Sequence, residues 1–84
     1  MHDLFEAQKI LKKVIEKAQE AGAKKINSAS IGIGSIIEHG EELLPETIKF
    51  NLEKLSEGTI AQGARFDVRK IEGDIWKLDE MDVD

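Results

Sequence analysis

Between Leu4 and Ala21 the apolar positions fall at Leu4, Ala7, Leu11, Val14 and Ala18, widened by Ile10 and Ile15. Steps of three and four residues make one stripe of an amphipathic helix. Asp3 followed by Glu6 reads as its N-terminal cap and Gly22 as the residue just past its end, so the pattern predicts a helix over residues 3–22. From Lys24 to Ile37 the period shortens to two: Ala29, Ile31 and Ile33 alternate with Ser28, Ser30, Gly32 and Gly34. This is a strand with one face of small residues, suited to another strand or to a close backbone. The stretch IIEHGEE at residues 36–42 carries loop signals, and Pro45 suits the first position of a second helix. That helix, over residues 45–57, directs Leu44, Ile48, Leu52 and Leu55 inward and stops at Gly58. Beyond Gly63, Ala64, Phe66 and Val68 alternate with Arg65, Asp67 and Arg69 in a second strand; Glu72-Gly73-Asp74 is a turn before a third strand near residues 75–78.

The expected fold class is therefore α+β, in the order α-β-α-β-β. Two helices pack on one face of a three-stranded sheet, and the last two strands form an antiparallel hairpin through Gly73. Phe66, Val68, Trp76 and Leu78 are the residues that this alternation turns toward the helices. The acidic end DEMDVD is either the ragged end of a strand or a solvated tail.

Composition narrows the possible chemistry. Eighty-four residues make one domain, 1–84, with a small core and little room for a buried catalytic cleft. The chain has no cysteine, which removes disulfides, thiolate zinc sites and cysteine nucleophiles together, so no structural zinc is expected. The net charge is −5, and Lys and Arg are interleaved with acids, which leaves no basic footprint for nucleic acid or anionic lipid. No apolar run is long enough to span a membrane, and the first residues lack the basic-then-apolar build of a signal peptide. The expected location is the cytoplasm.

Enzyme templates do not match. There is no phosphate loop, no HExxH and no GxSxG, and the GxG within IGIGS at residues 31–35 lacks the third glycine and the following helix. Its glycines read as strand or strand-exit residues rather than a phosphate cradle. His39 with Glu41 and Glu42 forms a carboxylate and imidazole group that is a secondary metal candidate beside its reading as a solvated loop. His2 is different because of its position. The terminal amine of Met1 and the His2 amide nitrogen close a five-membered chelate ring, and the same amide with the His2 imidazole closes a second. The amide or carboxylate of Asp3 completes a planar set that suits Ni(II) or Cu(II) better than tetrahedral Zn(II). Beside this stands the plainer reading, an incidental histidine followed by a helix-capping aspartate.

Several further stretches agree in order with one family. MetHisAspLeu opening an apolar helix, AlaGlnGluAlaGlyAlaLysLysIle, IleGlyIleGly, ProGluThrIleLysPhe and GlyThrIleAlaGlnGlyAlaArgPheAspVal together resemble the HypA/HybF nickel metallochaperones of nickel–iron hydrogenase and urease maturation. The resemblance covers residues 1 to about 70. It implies that His2, with the Met1 amine and Asp3, holds Ni(II), that a nickel enzyme of the hydrogenase type receives it, and that a HypB-like GTPase is a partner. Asp3 stands where the family usually has glutamate, and the loop from Gly34 to Pro45 is longer than is usual there. The family's zinc loop, with two Cys-x-x-Cys pairs after the second strand, has no counterpart here, whereas GlyAspIleTrpLysLeuAspGluMetAspValAsp is similar to the strand that returns from it. The zinc module is thus expected to be replaced at Gly73 by a short turn.

Three functions follow as expectations. The first is a nickel-binding metallochaperone without catalysis. The second is an interaction or regulatory domain that docks on a maturation partner without binding metal, and the third, least supported, is a small enzyme built on His39, Glu41 and Glu42.

Overall fold

The first helix ends where Gly22 turns into the left-handed region at φ 76°, a conformation open to glycine at little cost. The Ala23 amide then donates to the Ala18 carbonyl at 2.9 Å and the Gly22 amide to the Gln19 carbonyl at 2.9 Å, so the last carbonyls of the helix are satisfied and the chain reverses. In this computed structural model the elements are α1 (His2–Glu20), β1 (Ile26–Ile33), β2 (Ile37–Glu38), β3 (Glu41–Glu42), α2 (Pro45–Leu55), β4 (Arg65–Lys70) and β5 (Trp76–Val83). The structure describes residues 2–35, 37–38 and 41–84, and for residues 2, 3, 37, 38 and 41 it describes the backbone only. The class is α+β as expected, with two helices over a three-stranded sheet.

The sheet order is β4-β1-β5. β1 pairs in parallel with β4, Ala29 opposite Phe66 and Ile31 opposite Val68, and antiparallel with β5, Ile26 opposite Val83 and Ile33 opposite Trp76. The expected antiparallel hairpin between the last two strands is therefore corrected: β1 lies between them. Alternation fixes which face a side chain takes, but it does not fix which strand is the neighbour. Here α2 supplies the crossover that a parallel β1–β4 pair requires. The short segment after β4 then only has to step over the end of β1, roughly 10 Å at two strand spacings.

Two slips in the β1–β5 register explain apolar positions that simple alternation does not. Asn27 is an extra residue on β1 and Asp79 an extra residue on β5. Each bulge lets residues three apart share a face, Ile26 with Ala29 and Leu78 with Met81. The acidic end resolves as strand through Val83, with Trp76, Leu78, Met81 and Val83 half-buried against the core.

The core lies between the helices and the sheet and is built from Ala7, Ile10, Val14, Ile26, Ile31, Ile33, Ile48, Leu52 and Phe66, all fully buried. Helix α2 departs from expectation at its start. Leu44 is the N-cap in an extended conformation, φ −100° and ψ 138°, and is exposed, while Leu43 is buried in its place. A residue before proline is pushed out of the helical region, so the helical period does not reach back to Leu44. Ile48 and Leu52 do point inward and Leu55 is partly buried.

Candidate metal centre

Helix α1 begins at His2, so Asp3 lies in its first turn rather than at the cap position expected from sequence. The first amides of an α-helix have no intrahelical acceptor, so the backbone nitrogens of His2 and Asp3 belong to the unpaired group at the helix start. The same turn carries the positive end of the helix dipole, which favours loss of an amide proton and welcomes an anionic side chain.

The secondary candidates His39, Glu41 and Glu42 lie in the stretch that follows the exit of β1. At that exit the Gly34 amide donates to the Ile75 carbonyl at 2.8 Å and the Ser35 amide to the Gly73 carbonyl at 2.8 Å. The segment between β4 and β5 crosses here. A methyl group on Gly34 would stand 2.5 Å from the Gly73 oxygen and 2.8 Å from the Ile75 oxygen, and one on Gly32 would meet the Ile71 side chain at 2.8 Å. Gly34 thus serves a close backbone approach at the strand exit and Gly32 makes room for the Ile71 side chain, which gives the GxG a packing explanation. Gly73 itself has φ 105° in the turn that carries the chain across.

The β2–β3 ladder follows directly, Ile37 opposite Glu42 and Glu38 opposite Glu41, within a stretch expected to be loop. Glu42 is exposed and its carboxylate accepts from the Lys70 ammonium at the end of β4, an ion pair that ties the ladder to the sheet. This pairing gives Glu42 a structural partner, and Lys70 is a contact that the sequence reading did not anticipate. Its signal lies in the topology alone, because the parallel β1–β4 pairing sets Lys70 opposite Ile33. Met1 and His39 lie outside the described residues, and of His2, Asp3 and Glu41 only the backbone is described. Among the described residues no three His, Asp or Glu side chains converge as a metal-holding group.

With no cysteine in the chain, a thiolate zinc centre does not fit these residues. Also among the described residues, no helix is long and apolar enough to cross a membrane.

Residues 1–77 match the family described as HypA, hydrogenase/urease nickel incorporation, metallochaperone. The chain is 32% identical to a hydrogenase maturation factor HypA of Pyrococcus furiosus, over 96% of this chain and 61% of the relative. It is 38% identical to that of Methanopyrus kandleri, over 95% and 53%, and 38% identical to that of Methanothermobacter thermautotrophicus, over 84% and 55%. The chain thus spans between half and two thirds of the length of these relatives.

Proposed function

This chain belongs to the HypA family of hydrogenase and urease nickel-incorporation metallochaperones, and from that premise we propose that it carries Ni(II) as cargo at its first three residues. The ligands are the Met1 amine, the amide and imidazole of His2, and the amide or carboxylate of Asp3. The domain 1–84 acts without catalysis and without zinc, in the cytoplasm, and passes the metal to a nickel enzyme of the hydrogenase type with a HypB-like GTPase as partner.

The observation that supports this reading is the start of α1 at His2. A planar nickel site needs backbone nitrogens that can give up their protons, and the first turn of a helix is where such nitrogens have no carbonyl to serve. A histidine one turn further along would have its amide committed to the helix.

The test is calorimetric titration of Ni(II) into untagged protein whose amino-terminal Met1 has been verified by mass. One-to-one binding that disappears in His2→Ala and in a chain with one extra residue before Met1 is the expected result. Undiminished binding by the extended chain would remove the amine from the site and shift attention to His39, Glu41 and Glu42. No binding by the native chain at all would leave the non-metal docking domain as the better reading.

A further inference from the structure

β5 is an edge strand: β1 covers one side of it, and among the described residues no strand pairs with the other. Its two ends show which backbone groups face that open side. Ile26, opposite Val83, directs its amide to the Ile60 carbonyl at 2.9 Å, and Ile33, opposite Trp76, accepts the Ile71 amide at 2.9 Å, both away from β5. Val83 and Trp76 therefore belong to non-hydrogen-bonded pairs, with their own N–H and C=O groups turned to the open edge. Strand alternation carries the same orientation inward to Met81 from one end and to Leu78 from the other, and the extra residue Asp79 reconciles the two counts.

The residues that offer their backbone to the edge, Trp76, Leu78, Met81 and Val83, are symmetric about the point between Asp79 and Glu80. In a regular strand, residues equally far from such a point face opposite edges, so a twofold axis there would set bonding groups against non-bonding ones. The bulge at Asp79 cancels that offset. A second β5 laid antiparallel about this axis pairs Trp76 with Val83 and Leu78 with Met81, each twice, and every such pair can exchange two hydrogen bonds. Exposure follows the same symmetry, since the strand reads half-buried, exposed, half-buried, exposed from either end.

Side chains match as the backbone does. On the helix side Trp76, Leu78 and Met81 floor a furrow of about 580 Å³ beside Lys13 and Lys17 of α1, and this register joins two such floors into one. The two lysines already lie near Glu16 and Glu20, at 3.9 and 3.8 Å, so the wall adds little repulsion between copies. On the outer face Lys77 falls opposite Asp82 of the second copy, twice, and among the described residues neither has an ion-pair partner in its own chain. Near the axis Asp79 meets Glu80, but Arg69 holds Asp79 at 3.2 Å and offsets its charge. The opposite edge lacks this match: β4 exposes Arg65, Arg69 and Lys70 against Asp67 alone, a cationic edge that repels its like.

We infer that β5 is a self-pairing edge, through which two copies of this chain join into one continuous sheet about a twofold axis between Asp79 and Glu80. An unrelated strand would have to reproduce both the central bulge and the order of charges, which a second copy does by identity. The pairing is independent of nickel.

Sedimentation equilibrium of the untagged, metal-free full chain, carried up to millimolar concentration, tests this. A reversible monomer–dimer equilibrium is expected, with slowed hydrogen exchange at the amides of Trp76, Leu78, Met81 and Val83 in the dimer. Lys77→Glu and Asp82→Lys should each weaken it by about tenfold, because two attractive pairs become repulsive, and should leave the thermal transition in place. An equimolar mixture of the two variants should recover the wild-type affinity as a heterodimer, identified by native mass spectrometry, since both cross pairs are then opposite in charge. Such recovery also excludes a folding artefact, which mixing does not repair. The inference is overturned by a monomer at every concentration, by a mixture that associates no better than its components, or by a dimer indifferent to both substitutions. It is equally overturned by a dimer that protects amides of α1, α2 or β4 instead of the β5 edge.

Discussion

The amide of Gly34 donates to the carbonyl of Ile75 at 2.8 Å, across the point where the segment joining the two edge strands passes over the end of the central one. There is no space for a side chain in that crossing. Gly34→Ala would set its methyl group against two backbone oxygens that cannot rotate away, and a cost of about 1–3 kcal/mol is expected. Gly32→Ala meets only the flexible Ile71 side chain and should cost less, with Ile71→Val recovering part of the loss. Urea unfolding of the three variants gives the order directly. Equal stability of Gly34→Ala and wild type would show that the crossing is not held as described.

Phe66 and Trp76 were both expected to face the helices, and they do so to different degrees. Phe66 is fully buried opposite Ala29 on the central strand, whereas Trp76 lies on the edge strand and is only half-buried. Phe66→Ala should therefore cost about 3–5 kcal/mol, the usual range for a fully buried ring, and Trp76→Ala about half as much. Chemical denaturation of the two variants settles the ranking, and a larger loss at Trp76 would contradict the burial seen here.

Asp3 follows a similar revision. Within the first turn its contribution to the helix comes from the dipole rather than a cap, so Asp3→Ala should lower stability by only about 0.3–1 kcal/mol. Nickel affinity should fall modestly, since the backbone nitrogen remains. A complete loss of binding in calorimetry would instead make the carboxylate an obligatory ligand.

Nickel binding should weaken steeply as pH falls below neutrality. The amine, the imidazole and the amides must all lose protons to become ligands, and each proton returned competes with the metal. Titrations repeated between roughly pH 8 and 6 should show affinity dropping with release of more than one proton per metal. A flat profile would exclude nitrogen ligation by these groups. His39→Ala and Glu42→Ala should leave the affinity unchanged, and loss of the exposed Glu42–Lys70 pair should cost at most about 1 kcal/mol of stability.

A strong chelator should leave the thermal transition where it is, because the chain has no thiolate to hold structural zinc and its core is apolar. Differential scanning calorimetry before and after dialysis decides it; a lowered transition would reveal a metal contribution to the fold.

Much of the fold was legible because the two periods are clean. Ile10, Val14 and Ala18 on α1, Ile48 and Leu52 on α2 and Phe66 on β4 sit where three-four and alternating patterns put them. What was not legible depends on contacts distant in sequence. The bulges at Asn27 and Asp79 interrupt alternation without leaving a turn signal, and Leu43 replaces Leu44 because of the proline that follows. Strand order was missed for the same reason: five residues around Gly73 suit a hairpin locally, and only the need of α2 to bring β4 back parallel to β1 reveals the step across. For the candidate site, the position of His2 next to Met1 is the sequence feature on which the nickel proposal rests. The start of α1 at His2 and the Lys70–Glu42 tie could not be read in the sequence, since one depends on how the first turn settles and the other on parallel register.

The position of β1 between the two later strands also governs how the protein is made. Ile26 is paired with Val83, so a ribosome must release the chain through Val83 before the central strand can gain its second neighbour. Until then α1 has its apolar stripe and only half a sheet to cover. Such distant closure slows the search for the native pairing, because the entropy of a long loop is lost before its contacts form. Completion of the fold therefore waits on the synthesis of β5, and helix α1, translated before the three sheet strands, is among the last of these elements to find its full setting.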